Sequence, residues 1–248
     1  GVDGGVGGGD AEDILGVLFI ADDDVGEGDD AKFYETFRKA LRMIIWIALP
    51  VAIIAFFARG YVVSFVANGG DALIASVLGT LVVAIFARSI FHIASRGFYA
   101  RQDTKTPFIV SIVAVGLSTI LAVIFTKLGF GPEGLGFAQS IGAILEIIIL
   151  LAILQKRSNG KLLNKEFWRI FVRMLIAGAV TSCVAYSMTK FFPLMKTDAS
   201  LLAALPKFLL ISIISATAYL LAGYFLDLEE VKPILSKVKK ILFGNIAE

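Results

Sequence analysis

Ser95-Arg96-Gly97-Phe98-Tyr99-Ala100-Arg101-Gln102-Asp103-Thr104-Lys105-Thr106-Pro107 is a charged interruption between two long apolar runs. Thr106 ahead of Pro107 reads as an N-cap followed by proline at the first helical position, where its missing N–H costs nothing. A helix is therefore expected to begin at Pro107. Upstream, Arg88, His92 and Arg96 recur every four residues, so on a helix they share one polar stripe along an otherwise apolar rod. The runs on either side approach the roughly 20 residues needed to cross a hydrocarbon core. The stretch is thus a loop joining two membrane-spanning helices.

The composition extends that reading to the whole chain. Of 248 residues 57% are hydrophobic, above the roughly 45–50% usual for a soluble domain, and the excess is gathered into runs. An all-α polytopic transmembrane bundle follows, because helices satisfy their own backbone polar groups in lipid. The alternating pattern of a membrane β-barrel is absent. About six spans are expected: Met43–Val66, Ala72–Ala100, Pro107–Thr126, Leu135–Leu154, Ile170–Phe192 and Leu205–Leu226. Pro50 should kink the first, and Arg59-Gly60 should break it.

Four segments are expected. Residues 1–30 are Gly- and Asp-rich and are expected to be disordered; Asp22-Asp23-Asp24 lacks the ligand spacing of a calcium loop. Residues 31–154 hold an amphipathic lead-in and four spans, and residues 155–226 a basic loop and two more. Residues 227–248 form an amphipathic tail, either lying on an anionic membrane surface or packed on the protein's own loops. Cys183, the single cysteine, is expected to be packed and inert. Lysine and arginine concentrate on the side holding both termini, the Arg101–Lys105 loop and the Gln155–Arg169 loop, so the positive-inside rule makes that side cytoplasmic. The chain starts at glycine without a signal peptide and reads as part of something longer.

Charge inside the bilayer costs at least about 2.5–3.5 kcal/mol at mid-depth, so Arg88 in the second span and Glu146 in the fourth single themselves out. In one reading Arg88, His92 and Arg96 line a wet cavity that attracts an anionic headgroup. In the other Arg96 snorkels to the interface, His92 packs, and Arg88 is tied to a carboxylate for structure. Glu146 is either that counter-ion or a site for a coupled proton or Na⁺. Ser118, Gln139 and Ser140 offer neutral oxygens to a cation or hydrogen bonds between helices. Arg59 and Arg173 sit near span ends as interface anchors. No metal cluster, phosphate loop or nucleophile triad is recognisable, so neither an enzyme nor a cofactor is expected. Nothing points to nucleic acid.

Three stretches carry a family resemblance: Leu49-Pro50, the run Arg96-Gly97-Phe98-Tyr99-Ala100-Arg101-Gln102-Asp103-Thr104-Lys105-Thr106-Pro107, and Gly134-Leu135-Gly136-Phe137-Ala138-Gln139-Ser140. Together they resemble the MurJ (MviN) lipid II flippases of the multidrug/oligosaccharidyl-lipid/polysaccharide exporter superfamily. The resemblance implies that these spans correspond to the last six of a fourteen-helix exporter. It also implies alternating access, with the head of lipid II, or of a similar undecaprenyl-linked glycan, in a cationic cavity between two lobes. The polyprenyl tail would lie in a groove beside the last two helices, and membrane potential or a coupled ion would drive the cycle. The location implied is the bacterial cytoplasmic membrane. Spans N-terminal to these would be needed for transport. Many members carry asparagine, associated with a Na⁺ site, where this chain has Ser118. An exporter of another lipid-linked glycan or of a drug, and a non-transporting membrane scaffold, remain as alternatives.

Overall fold

The computed structural model describes residues 30–66, 71–194 and 201–232. Seven helices make up the described residues: α1 Asp30–Phe57, α2 Arg59–Val66, α3 Ala72–Tyr99, α4 Lys105–Lys127, α5 Gly131–Arg157, α6 Lys165–Phe191 and α7 Leu201–Phe225. A 3₁₀ turn at Glu229–Val231 follows. All but α2 are long and apolar enough to cross a membrane, which gives six candidate spans. The protein is an all-helical, multi-pass membrane bundle. The N-terminal Gly/Asp-rich segment and most of the amphipathic tail lie outside the described residues.

Helix boundaries follow local chemistry, and in three places that chemistry moves them from the expected positions. α4 begins at Lys105, two residues before Pro107. Thr106 does not cap it; the Asp103 carboxylate accepts both the Thr106 N–H at 3.0 Å and the Thr106 hydroxyl at 2.7 Å. With its N–H and its hydroxyl both bonded to Asp103, Thr106 lies inside the first turn instead of capping it. α5 starts at Gly131, with Pro132 in its first turn and Glu133 beside the positive end of the helix. α6 starts at Lys165 because the Asn164 side chain accepts the Phe167 N–H at 2.8 Å. The basic loop shrinks to residues 158–164. Helix α1 runs through Pro50 and ends at Phe57, and α2 restarts at Arg59, where the Arg59-Gly60 break was expected.

The helices pack in the order α4, α5, α3, α1, α6, α7, with α1 also touching α7, so consecutive α3 and α4 barely meet. The main apolar core lies at the end of the bundle near the Ser95–Pro107 loop. Phe33, Phe37 and Leu41 of α1 meet Phe98 of α3, Leu150 and Leu154 of α5 and Met174 of α6 there. Gly97 has a defined role in this core: a Cβ in its place would lie 2.6 Å from the Phe37 ring, so only glycine lets α1 and α3 close. The opposite end holds a small cluster around Ala58, Tyr61, Ala204 and Ile211. Cys183 faces outward on α6, contrary to the expectation of a packed thiol. The apolar faces of α6 are spent on α1 and α7, and position 183 lies on neither.

Candidate functional site

The centre of the site is a carboxylate held between three helices. Glu146 on α5 is wholly buried, because α5 is sandwiched between α3 and α4. Arg88 on α3 donates to its Oε2 at 2.9 Å from one side, and Ser111 on α4 donates to its Oε1 at 2.6 Å from the other. Both carboxylate oxygens are therefore occupied, as a buried charge requires. The Arg88 side chain keeps 35% of its surface exposed, against 0% for Glu146. It is an anchored cation with a free side, and its guanidinium lies 5.6 Å from the Phe91 ring centroid.

Small residues on α5 bring the three helices within reach of one carboxylate. A Cβ at Gly136 would stand 1.8 Å from the Thr80 hydroxyl of α3, and one at Gly142 would stand 1.8 Å from the Ser118 hydroxyl of α4. Ser140 adds a cross-helix hydrogen bond, donating to the Thr80 carbonyl at 2.6 Å. Ser118 donates within its own helix, to the Ala114 carbonyl at 2.8 Å. Gln139 is half-buried on α5.

His92 and Arg96 are exposed. They continue the Arg88 face of α3 toward the Ser95–Pro107 loop, along with exposed Ile85 and Tyr99, at the spacing of one helical stripe. No described helix covers that face. The Arg88–Glu146 pairing is one of the two readings that the sequence leaves open for these residues; the third member, Ser111, was not foreseen. A serine within an apolar helix is too common to signal a partner, and only its depth relative to Glu146 hinted at one.

The loop beyond the stripe is fixed by charge and aromatic contacts. Arg157 at the end of α5 pairs with Asp103 at 2.7 Å and reaches the Thr106 hydroxyl at 3.3 Å. Its guanidinium also lies 5.2 Å from the Phe98 ring centroid. The Thr106 hydroxyl and N–H, with a smaller contribution from Arg157, pull the Asp103 carboxyl down to about 2. Arg101 stacks over Phe33 and Tyr34 of α1, at 5.2 and 4.6 Å. Gln102 takes a left-handed conformation, φ 57°, to turn the chain between them. A second buried ion pair, not foreseen from sequence, joins Arg42 of α1 to Glu230 at 2.6 Å and to Glu229 at 3.1 Å. It fastens the segment after α7 to the base of α1. Among the described residues no group of His, Cys, Asp and Glu side chains could hold a metal ion.

A protein-family model described as lipid II flippase MurJ matches residues 23–205. Among curated proteins, the "Probable lipid II flippase MurJ" of Vibrio cholerae is 29% identical over 141 residues, 57% of this chain and 26% of that protein. The protein of the same description from Bdellovibrio bacteriovorus is 24% identical over 220 residues, 86% of this chain and 40% of that one. The "Lipid II flippase MurJ" of Thermosipho africanus is 30% identical over 129 residues, 50% and 27% of the two chains. The chain thus spans from about a quarter to two fifths of the length of these relatives.

Proposed function

The chain belongs to the lipid II flippase MurJ family, and from that premise we propose that it contributes the substrate-facing helices of a carrier that flips a lipid-linked peptidoglycan precursor across the cytoplasmic membrane. The observation that carries this reading is the asymmetry of the Arg88–Glu146 pair. A purely structural ion pair would enclose both partners, yet here the carboxylate is sealed in and the guanidinium is left with an open side. His92 and Arg96 extend that open side into a polar track that ends on a second guanidinium.

The mechanism is electrostatic attraction followed by rocking. Arg88, His92 and Arg96 attract the pyrophosphate of the headgroup while the stripe is open to the cytoplasm. Glu146 holds Arg88 in place without neutralising its outward face. The tail would travel in the apolar groove between α1, α3 and α6, lined by Leu49, Ile53, Val82, Val83 and Phe86. Movement of α3 against spans supplied by the rest of the transporter would then present the head to the other side. On this reading both termini would face the cytoplasm, the side on which the positive-inside rule puts the basic loops.

Ion coupling forms the lesser part of the proposal. The hydroxyls of Ser118 and Ser140 spend their protons on helix carbonyls. Ser140 faces α3 and Ser118 lies on α4, on opposite sides of α5, so a coupled Na⁺ or proton would engage one of them rather than both.

Complementation tests the reading. A completed gene, in which the N-terminal spans that transport would need precede this chain, is expressed in a bacterium depleted of its own flippase, alongside Arg88→Ala at matched membrane abundance. Growth with the wild-type gene and lysis with the variant is the expected result. Undiminished growth with Arg88→Ala removes Arg88 from the mechanism.

A further inference from the structure

The segment after α7 doubles back on the bundle. Asp227 takes a left-handed conformation, φ 50°, and the Leu228 N–H donates to the Gly223 carbonyl at 3.0 Å. The return buries Leu228 and Val231 in the main core. Gly223 makes room for it: a Cβ there would stand 2.7 Å from Val231 Cγ2. Residues 226–232 thus form a strap from the end of α7 onto α1. Asp227, Glu229 and Lys232 of the strap are exposed, whereas Glu230 is buried, and Arg42 donates to its Oε1 at 2.6 Å.

Beneath the strap the seam between α1 and α7 is polar and unpaired. Trp46 lies one turn from Arg42 on α1, and its ring meets that of Tyr219 on α7 with centroids 5.8 Å apart. Ser212, Ser215 and Tyr219 fall on one face of α7 by their spacing. Among the described residues, Trp46 Nε1, the hydroxyls of Ser212, Ser215 and Tyr219, and Glu230 Oε2 are buried with no hydrogen-bond partner. Glu230 is close enough to Tyr219 to act on it electrostatically, yet no hydrogen bond joins them. Folded interiors rarely leave such groups unpaired. Several along one seam set the closed strap against a standing cost.

We infer that the strap is a releasable lock. Arg42 and Glu230 hold it shut over a seam that favours opening, and its release unties the end of α7 from α1 and exposes Tyr219 and Trp46 Nε1 to water. A permanent seam would pair these groups or replace them with apolar ones. The hold is concentrated in one buried bond, because Glu229 reaches the same guanidinium from an exposed position and Lys232 pairs with Asp227 at the surface. In a carrier that rocks, such a lock sets when α7 can move against α1. It is independent of the Arg88 stripe and of the lipid proposed to visit it.

Hydrogen–deuterium exchange on the chain in phosphatidylcholine nanodiscs, read at residues 226–232, tests the lock. Exchange there requires the Leu228 and Val231 N–H groups to leave the Gly223 and Leu228 carbonyls. Tyr219→Phe keeps the ring against Trp46 and removes an unpaired hydroxyl from the closed seam. It should slow exchange about tenfold, the scale of relieving one buried unpaired group. Glu230→Gln should speed exchange at least about tenfold, as expected for a lost hydrogen bond to a charged group. Unchanged or faster exchange in Tyr219→Phe would show that the hydroxyl supports the closed strap, and overturns the lock. Exchange in Glu230→Gln no faster than in the wild type overturns it as well. The Tyr219→Phe result decides the matter whether or not Glu230→Gln folds.

Discussion

Gly142 of α5 lies so close to Ser118 of α4 that a Cβ on the glycine would meet the serine hydroxyl at 1.8 Å. That contact sets the spacing of the two helices, and four residues further along α5 the same spacing lets Ser111 reach the Glu146 carboxylate. Helix packing and the chemistry of the buried acid are one geometric problem. Gly142→Val should push α4 away and destabilise the bundle by about 1–3 kcal/mol, the usual cost of overpacking. Thermal melts in detergent check this. Gly116→Ala is the control: its Cβ would meet nothing within 4 Å, so its melt should be unchanged or raised, alanine being the better helix former.

The ion pair should respond unequally to loss of either partner. Removing one member of a buried pair costs about 3–5 kcal/mol. Arg88→Met strands a fully enclosed carboxylate, whereas Glu146→Met strands a guanidinium that can still reach water. Arg88→Met should therefore lower the melting temperature more. The double variant, in which neither charge remains, should recover most of the loss.

At the C-terminal segment the contrast lies between neighbours. Glu230 is nearly sealed against Arg42, while Glu229 keeps 69% of its side chain exposed. Glu230→Ala should cost about 3–5 kcal/mol and Glu229→Ala no more than about 1 kcal/mol. The two melts, taken side by side, decide it.

Asp103 supplies a pH signature. Its folded value, about 2, lies below the ordinary 3.8, so the loop gains stability wherever the carboxylate is charged in both states. That gain is fully present above about pH 4 and is lost as the pH falls through 2. Melting temperature should fall over that window in the wild type, and the contribution of this group should vanish in Asp103→Asn. Thr106→Val removes the largest cause of the depression and should shift the fall to higher pH.

How much of this was legible in the sequence depended on the range of the forces involved. The spans were readable because hydropathy is a local, additive property, and the break at Arg59-Gly60 because glycine beside a charge interrupts a span. The starts of α5 and α6 were missed although their signals were present, in Pro132-Glu133 and in Asn164 ahead of Lys165-Glu166. Hydropathy alone begins a helix where it becomes apolar, which is later than where it becomes helical. Arg88 and Glu146 stood out because mid-span charge is costly. Ser111 and the Arg42–Glu230 pair did not, since a serine is unremarkable in a helix and two residues 188 apart meet only once the fold exists. Ser118 and Ser140 were read as either helix contact or ion site; Ser140 bonds across to Thr80 of α3, while Ser118 bonds only within α4.

The central claim is that the Arg88–His92–Arg96 face of α3 looks into water and is visited by an anionic lipid head. Cysteine labelling tests it most directly. In a Cys183→Ser background, single cysteines are placed at His92 and at Gln102, and cells are treated with a membrane-impermeant maleimide after the cytoplasmic face has been opened. Labelling at both positions, with protection at 92 alone when lipid II is added, is the predicted result. Labelling at 102 with none at 92 would put this face against acyl chains or dry protein and contradict the account.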